Sequence, residues 1–349
     1  MKKYYTRACN FFYGKISREY IRKNISLSLN GSKDISFDTI EIISRSSKKK
    51  IKISDIKKLK SKLRAKVQKD LQNITKEKKF RYLKLKKQPL IMGVLNITPD
   101  SFSDGGKYNT KIKSYIHAKK MVKYGCDIID IGAESTRPGA LTINHKIEWT
   151  RLKHPLKEIY KLNKVISLDT RKEPVMRNAL KFNINIINDI SGLSHDSKTM
   201  NFLKETNLPF VLNHIQGKPS NMQKNPRYKN VVLDVYDFYE KKIRELRKLG
   251  ICHDNILLDP GIGFGKNLKH NITLLRNISI FHSLGFPLLI GISKKRFIKD
   301  LANNNDSKNR YGGTIASSIY LIMQGVQILR VHDVNEIKQA IKTFKFLTL

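Results

Sequence analysis

Eight apolar runs of strand length, each followed by a stretch with helical spacing, fill residues 90–349, and this alternation limits the possible folds more than any other feature. The runs are Leu90–Leu95, Asp127–Ile131, Val165–Leu168, Asn185–Ile187, Pro209–Leu212, Ile256–Leu258, Leu288–Ile290 and Gln327–Val331. Helix-like segments fall at about Lys111–Tyr124, His145–Leu162, Glu173–Phe182, Ser197–Glu205, Leu233–Leu249, Lys269–Leu284 and Tyr311–Gly325, with a last one at Asn335–Phe346. Strands that alternate with helices predict a parallel sheet, and eight repeats predict its closure into an α/β (β/α)8 TIM barrel. An open doubly wound sheet alternates in the same way but gathers its ligand at one switch point. Here Asn96, Asp169, Asn188, Asn213, Asp259, Lys294, Lys295, Arg330 and His332 come at or just past the ends of apolar runs, and Glu134–Arg137 follow the second run. Polar groups converging from all the C-terminal strand ends describe a barrel mouth.

Residues 1–88 differ in texture. They hold 27 Lys+Arg against 7 Asp+Glu, a net of +20 within the +39 of the whole 349-residue chain. Short β-like patches at Ile35–Ile43 and Lys50–Ile53 precede a helical stretch from about Ser54 to Asn73, with Leu59, Leu63, Val67 and Leu71 at four-residue spacing. A small basic α+β extension at residues 1–88, leaning on a barrel at 89–349, is the expected organisation. Aromatic residues do not interleave with the lysines as a stacking platform requires, so no dedicated nucleic-acid function is expected. Small anionic substrates suit the charge better. Cys9, Cys126 and Cys252 are far apart, with neither zinc nor redox spacing. No signal-peptide pattern and no run of about 18 apolar residues is present, so a soluble, cytoplasmic protein without a membrane partner is expected.

Individual residues suggest chemistry. Asp169 and Asp259 each end a Leu-rich strand, and a buried carboxylate needs a charged or multiply donating partner, either a salt bridge inside the barrel or a ligand. His332 alone reads as a satisfied structural histidine, but Arg330 two positions earlier lies on the same side of a strand, and together they suit an anion. Gly261-Ile262-Gly263-Phe264-Gly265-Lys266 has neither phosphate-loop nor dinucleotide spacing and reads as a tight turn on a pocket rim.

The segment from Leu90 to Gly106, containing Asn96-Ile97-Thr98-Pro99-Asp100-Ser101-Phe102-Ser103-Asp104, resembles the dihydropteroate synthases of the pterin-binding barrel family. The likeness returns in order at Gly132–Gly139, Ser167–Thr170, Ile187–Ile190, Leu258–Lys266, Gly291–Lys295 and Arg330–Asp333. It implies condensation of (7,8-dihydropterin-6-yl)methyl diphosphate with 4-aminobenzoate, releasing diphosphate. By the same resemblance Asp169, Asn188, Asp259 and Lys295 hold the pterin. Arg330 and His332 act on the diphosphate, with Mg2+ held in part by Asn96. Phe102, Thr136, Arg137, Pro138 and Ser293 form the 4-aminobenzoate pocket, and Asp104, with Asp100, sits over the reacting centre. Asp104, Lys295, Arg330 and His332 are the implied catalytic groups, and a homodimer joined through the last helices is implied. Lys294, Arg171, Asn213 and Ile215 depart from the family's usual residues. A methyltetrahydrofolate-binding methyltransferase barrel would share the pterin-holding residues but would not need the 98–104 loop or the Arg330/His332 pair. A basic nucleic-acid-binding protein would show an affinity that falls steeply with salt.

Overall fold

The computed structural model describes residues 3–87, 89–98, 109–135, 139–303, 306 and 309–348. The extension begins with β1 (Tyr5–Tyr13), α1 (Gly14–Arg22), β2 (Leu27–Leu29), β3 (Ser32–Ile43), β4 (Lys48–Lys52) and α2 (Ser61–Thr75). The long β3 is central: β1 runs antiparallel along one edge, while β2 and β4 share the other. Ala8, Leu29, Phe37, Ile40, Val67, Leu71 and Ile74 form a core between this sheet and α2. The helix read from about Ser54 divides at Leu59 and Lys60, both extended, into a 3-10 turn at Ile53–Lys58 and α2. β1 lacks a strict in–out alternation along its length, and neither it nor α1 is among the expected elements.

The barrel follows as β5 (Leu90–Asn96), α3 (Asn109–Lys123), β6 (Ile128–Gly132), α4 (His145–Tyr160), β7 (Val165–Asp169), α5 (Glu173–Ala179), β8 (Ile186–Asp189), α6 (Thr199–Thr206), β9 (Phe210–Asn213), α7 (Val231–Lys248), β10 (Ile256–Asp259), α8 (Leu268–Arg276), β11 (Leu289–Gly291), α9 (Arg296–Ala302), α10 (Tyr311–Met323), β12 (Ile328–Val331) and α11 (Val334–Thr348). The eight strands β5–β12 pair in parallel, with β12 beside β5. A bridge between Leu258 and Leu288 links β10 to β11 and brings the sheet nearly to closure. Asparagine caps set helix starts: Asn144, Asn230 and Asn267 accept from the first-turn N–H groups of α4, α7 and α8.

The barrel interior has two layers because side chains alternate along a strand. Leu90, Met92, Ile128, Ile186, Val211, Leu257, Leu289 and Ile328 form an apolar floor. Two or four residues beyond these floor residues, or beyond Val165 of β7, which packs against them, and so on the same inner face, stand Asn96, Asp130, Asp169, Asn188, Asn213, Asp259 and Arg330. From outside the sheet, Phe80 and Leu85 of the connector pack into the floor.

The extension docks on the outer wall and lower rim. Tyr5 places its ring edge on Tyr236 and donates its hydroxyl to Asp237 at 2.8 Å. Ser279 donates to the Ala8 carbonyl, Arg7 to Asn277, and Asn30 to the Gly325 carbonyl. The expected helix at Lys269–Leu284 breaks at Asn277, where Arg7 docks, and continues as a 3-10 segment, Ile278–Leu284. No described contact reaches the C-terminal strand ends. A chain starting at Lys76, which keeps Phe80 and Leu85, is therefore expected to turn over like the whole protein. One starting at Lys87 is expected to lose several kcal/mol of stability, since removing a buried Phe or Leu side chain costs about 2–5 kcal/mol. Thermal melts and turnover per folded molecule check both; a hundredfold loss of turnover in the folded shorter chains would mean that the extension reaches the site.

Candidate active site

Arg330 projects from β12 across the mouth. Its Nε donates to Asp130 Oδ2 at 2.6 Å and its Nη2 to Asp169 Oδ2 at 2.7 Å. Asn188 Nδ2 also donates to Asp130, at 3.2 Å, while its buried Oδ1 has no partner among the described residues. Burial pushes the Asp169 carboxyl up, with Arg330 opposing and Asp130, Glu148 and Asp189 adding to the rise. The ion-pair alternative for Asp169 is thus realised at one oxygen. Arg330 here joins two buried carboxylates. The reason is electrostatic: a buried carboxylate is costly unless a cation or hydrogen-bond donors meet it.

Across the mouth, Asp259 ends β10 and accepts from the Gly261 N–H at 2.8 Å. It forms no ion pair among the described residues, and burial raises its pKa against the pull of Lys295 and Arg330. Lys295 donates to the Ile262 carbonyl and stands 4.6 Å from the centre of the Phe264 ring. Burial lowers its pKa to about 8, with Asp259 opposing. Asp259, Lys295, Asn188 and Asp169 are therefore brought to one mouth, with hydrogen-bonding capacity left over for a flat polar ligand.

Ser293 and His332 meet on the rim, His332 Nδ1 lying 3.1 Å from Ser293 Oγ. Asn96 is half-buried at the end of β5. Lys294 has a positive φ, pairs with Asp333 at 2.8 Å and lies 4.9 Å from the Tyr311 ring centre, so it turns away from Lys295. Arg171 has a structural explanation: with Lys172 it neutralises buried Glu134, and it donates to Thr142, while Glu134 accepts from the Ile143 N–H. Lys172 also binds Glu148 at 2.5 Å. This buried network anchors both ends of the β6–α4 connection. Asp100, Phe102, Asp104, Thr136, Arg137 and Pro138 lie outside the described residues.

Sequence reading missed Asp130 because it sits inside an apolar run, Ile128-Ile129-Asp130-Ile131, not at its end. A lone carboxylate in such a run was the signal available. Lys266, read as part of a turn, is fully buried.

Comparison with known proteins agrees with this geometry. Residues 92–332 match the model of the family described as "Pterin binding enzyme". The chain is 43% identical over 255 residues to the dihydropteroate synthase of Escherichia coli K12, spanning 73% of this chain and 90% of that one, and 40% identical to that of Bacillus subtilis 168, spanning 74% and 89%. Among solved structures, Xanthomonas albilineans dihydropteroate synthase in complex with 7,8-dihydropteroate superposes with a TM-score of 0.69 at 31% identity, covering 76% of this chain and 95% of that one. The enzyme from Yersinia pestis with a sulfonamide drug complex gives 0.70 at 38% identity, covering 76% and 96%. With its eight-stranded barrel and this degree of identity, the chain belongs to the pterin-binding enzyme family, in its dihydropteroate synthase branch.

Proposed function

We propose that the chain condenses (7,8-dihydropterin-6-yl)methyl diphosphate with 4-aminobenzoate, releasing diphosphate, at the inward-facing polar layer of the barrel. The observation that carries this is the pairing of Asp259, a buried carboxylate without an ion-pair partner among the described residues, with Asn188, whose Oδ1 is a buried acceptor awaiting a donor. A pterin edge offers adjacent N–H groups that match a carboxylate in the bidentate sense. Lys295 donates to the carbonyl and ring-nitrogen side, and Arg330 holds Asp130 and Asp169 in register around the ring.

An aryl amine is neutral at pH 7 and attacks without a strong base, so the barrier lies in expelling diphosphate. Such a site works by positioning and by electrostatics. The guanidinium of Arg330 and the imidazole of His332 supply positive charge as the leaving group departs; Ser293 sets the His332 ring. By the family resemblance, Phe102, Thr136, Arg137 and Pro138 serve the aryl amine and Asp104 serves the reacting centre.

Among the described residues no cluster of three or more His, Cys, Asp or Glu could cage a metal. The donor set fits a Mg2+ carried on phosphate oxygens, with the hard amide oxygen of Asn96 as a protein ligand. Bound there, the ion would neutralise diphosphate charge. Exposed Tyr311 and Tyr320 on α10, and Phe346 and Leu347 on α11, support a homodimer contact through the last helices, which light scattering checks. No helix among the described residues is long and apolar enough to cross a membrane, and the three free cysteines support a reducing, cytoplasmic compartment.

Diphosphate release that requires both substrates tests the reaction; release with either substrate alone, or none with both, would overturn it. Because the Lys295 ammonium is a stronger, charge-assisted donor than the neutral amine, pterin affinity is expected to fall as pH rises through about 8. Stability should move oppositely. A lysine depressed in the folded state makes the folded chain bind fewer protons than the unfolded one between about 8 and its ordinary value near 10.4, so stability rises with pH there. Titration calorimetry at pH 7 and 9 checks the first effect, which Lys295→Met should abolish.

A further inference from the structure

Lys266 is fully buried, yet no carboxylate pairs with it among the described residues. Its ammonium instead meets four acceptors: the His214 carbonyl at 3.2 Å, the Gly261 carbonyl at 3.0 Å, the Phe264 carbonyl at 2.9 Å and His214 Nδ1 at 3.0 Å. Burial holds its pKa well below the ordinary lysine value, with Asp259 opposing. Keeping such a group dry is costly unless its hydrogen bonds are satisfied, so a full set of acceptors implies a definite task.

The acceptors belong to two loops. His214 opens the connection after β9; Gly261 and Phe264 lie in the connection after β10. These loops touch so closely that only glycine fits between them. A Cβ on Gly261 (φ +66°) would lie 2.0 Å from the His214 carbonyl oxygen, and one on Gly265 (φ +60°) 2.3 Å from that of Gln216. Glycine permits the approach, and Lys266 fastens it.

What the fastened loop presents is two main-chain groups. The Gly261 N–H donates to Asp259, and the Ile262 carbonyl accepts from Lys295. We infer that Lys266 is a positioning residue: by tying the two loops together from beneath, it fixes the Gly261 N–H and the Ile262 carbonyl that aim Asp259 and Lys295 at the pterin edge. This rests on the pterin site proposed above. Lys266 itself, being fully buried, does not touch the substrate.

The test compares the full-length chain with Lys266→Met, which nearly keeps the volume and removes every N–H, and with Lys266→Gln, which keeps two donors. Binding of 6-hydroxymethylpterin is read by calorimetry, and KM for 4-aminobenzoate by steady-state kinetics. The expected result is a tenfold or greater loss of pterin affinity for Met, a smaller loss for Gln, and a 4-aminobenzoate KM changed less than twofold. In a double-mutant cycle with Asp259→Asn the effects should not add, because both act through one carboxylate. Wild-type affinity in folded Lys266→Met, equal losses for both substrates, additive effects, or failure of both variants to fold would overturn the inference and leave Lys266 a purely structural residue. A wild-type chain that binds no pterin would overturn the proposed site first, and this inference with it.

Discussion

Asp259→Asn is expected to weaken pterin binding severely while the fold survives. Asp259 accepts from the Gly261 N–H, and its carboxylate lies near Lys295 in a dry site. An amide of the same shape must turn its NH2 either toward that N–H or toward the ligand's donors, and an unsatisfied buried donor costs about 1–3 kcal/mol. Losing the charge adds to this, since breaking a buried charged hydrogen-bond pair at an interface costs about 2–5 kcal/mol. Affinity should drop on the order of a hundredfold or more. Stability should hold or rise, and the sign can be worked out. Burial raises this carboxyl above its unfolded value, so the ionised form is penalised in the folded chain at neutral pH, and the neutral amide removes that penalty. Calorimetric titration with a pterin and a thermal melt give the two readings. Undiminished affinity would remove Asp259 from the site.

Arg330→Ala should have the larger structural effect. It strips the cation from Asp130 and Asp169, both buried and both within 2.7 Å of the guanidinium. Removing one partner of a buried ion pair costs about 3–5 kcal/mol, because the remaining charge is stranded. Binding of the pterin itself and of its diphosphate should then fall together. The Asp169 carboxyl is already pushed up by burial and rises further without Arg330. Because the unfolded state is common to both chains, the stability gap to wild type should hold steady below the wild-type folded value of about 8 and widen as pH rises through it. Arg330→Lys, which keeps the charge but not the fork, should recover part of the loss. Urea unfolding at pH 6 and pH 9 measures the gap. Wild-type stability combined with loss of diphosphate binding alone would mean that Arg330 serves the leaving group and not the carboxylates.

These two residues show different degrees of legibility. Asp259 could be singled out because it ends an apolar run and sits in a motif; its freedom from an ion pair could not. Arg330 was equally visible, but its partners lie 200 and 161 residues away on β6 and β7. Asp130 was hidden by its position inside a run, although the strand period places it on the same inner face as Ile128. Phe80 and Leu85 stand in a lysine-rich stretch without a periodic apolar pattern, yet they pack into the barrel floor.

The sequence by itself determined the eight strands, most of the helices, their closure into a barrel and the end of the barrel that carries polar groups. These follow from local periodicity and from short connections, which do not depend on remote partners. Only the tertiary structure decided which inner groups meet: Arg330 with Asp130 and Asp169, Lys266 with the carbonyls of two loops, Arg171 with Glu134, and β1 against the wall at Ser279. The physical reason is that a buried charge is stable only where partners converge around it. That convergence is created by closing the sheet, which no window of neighbouring residues contains.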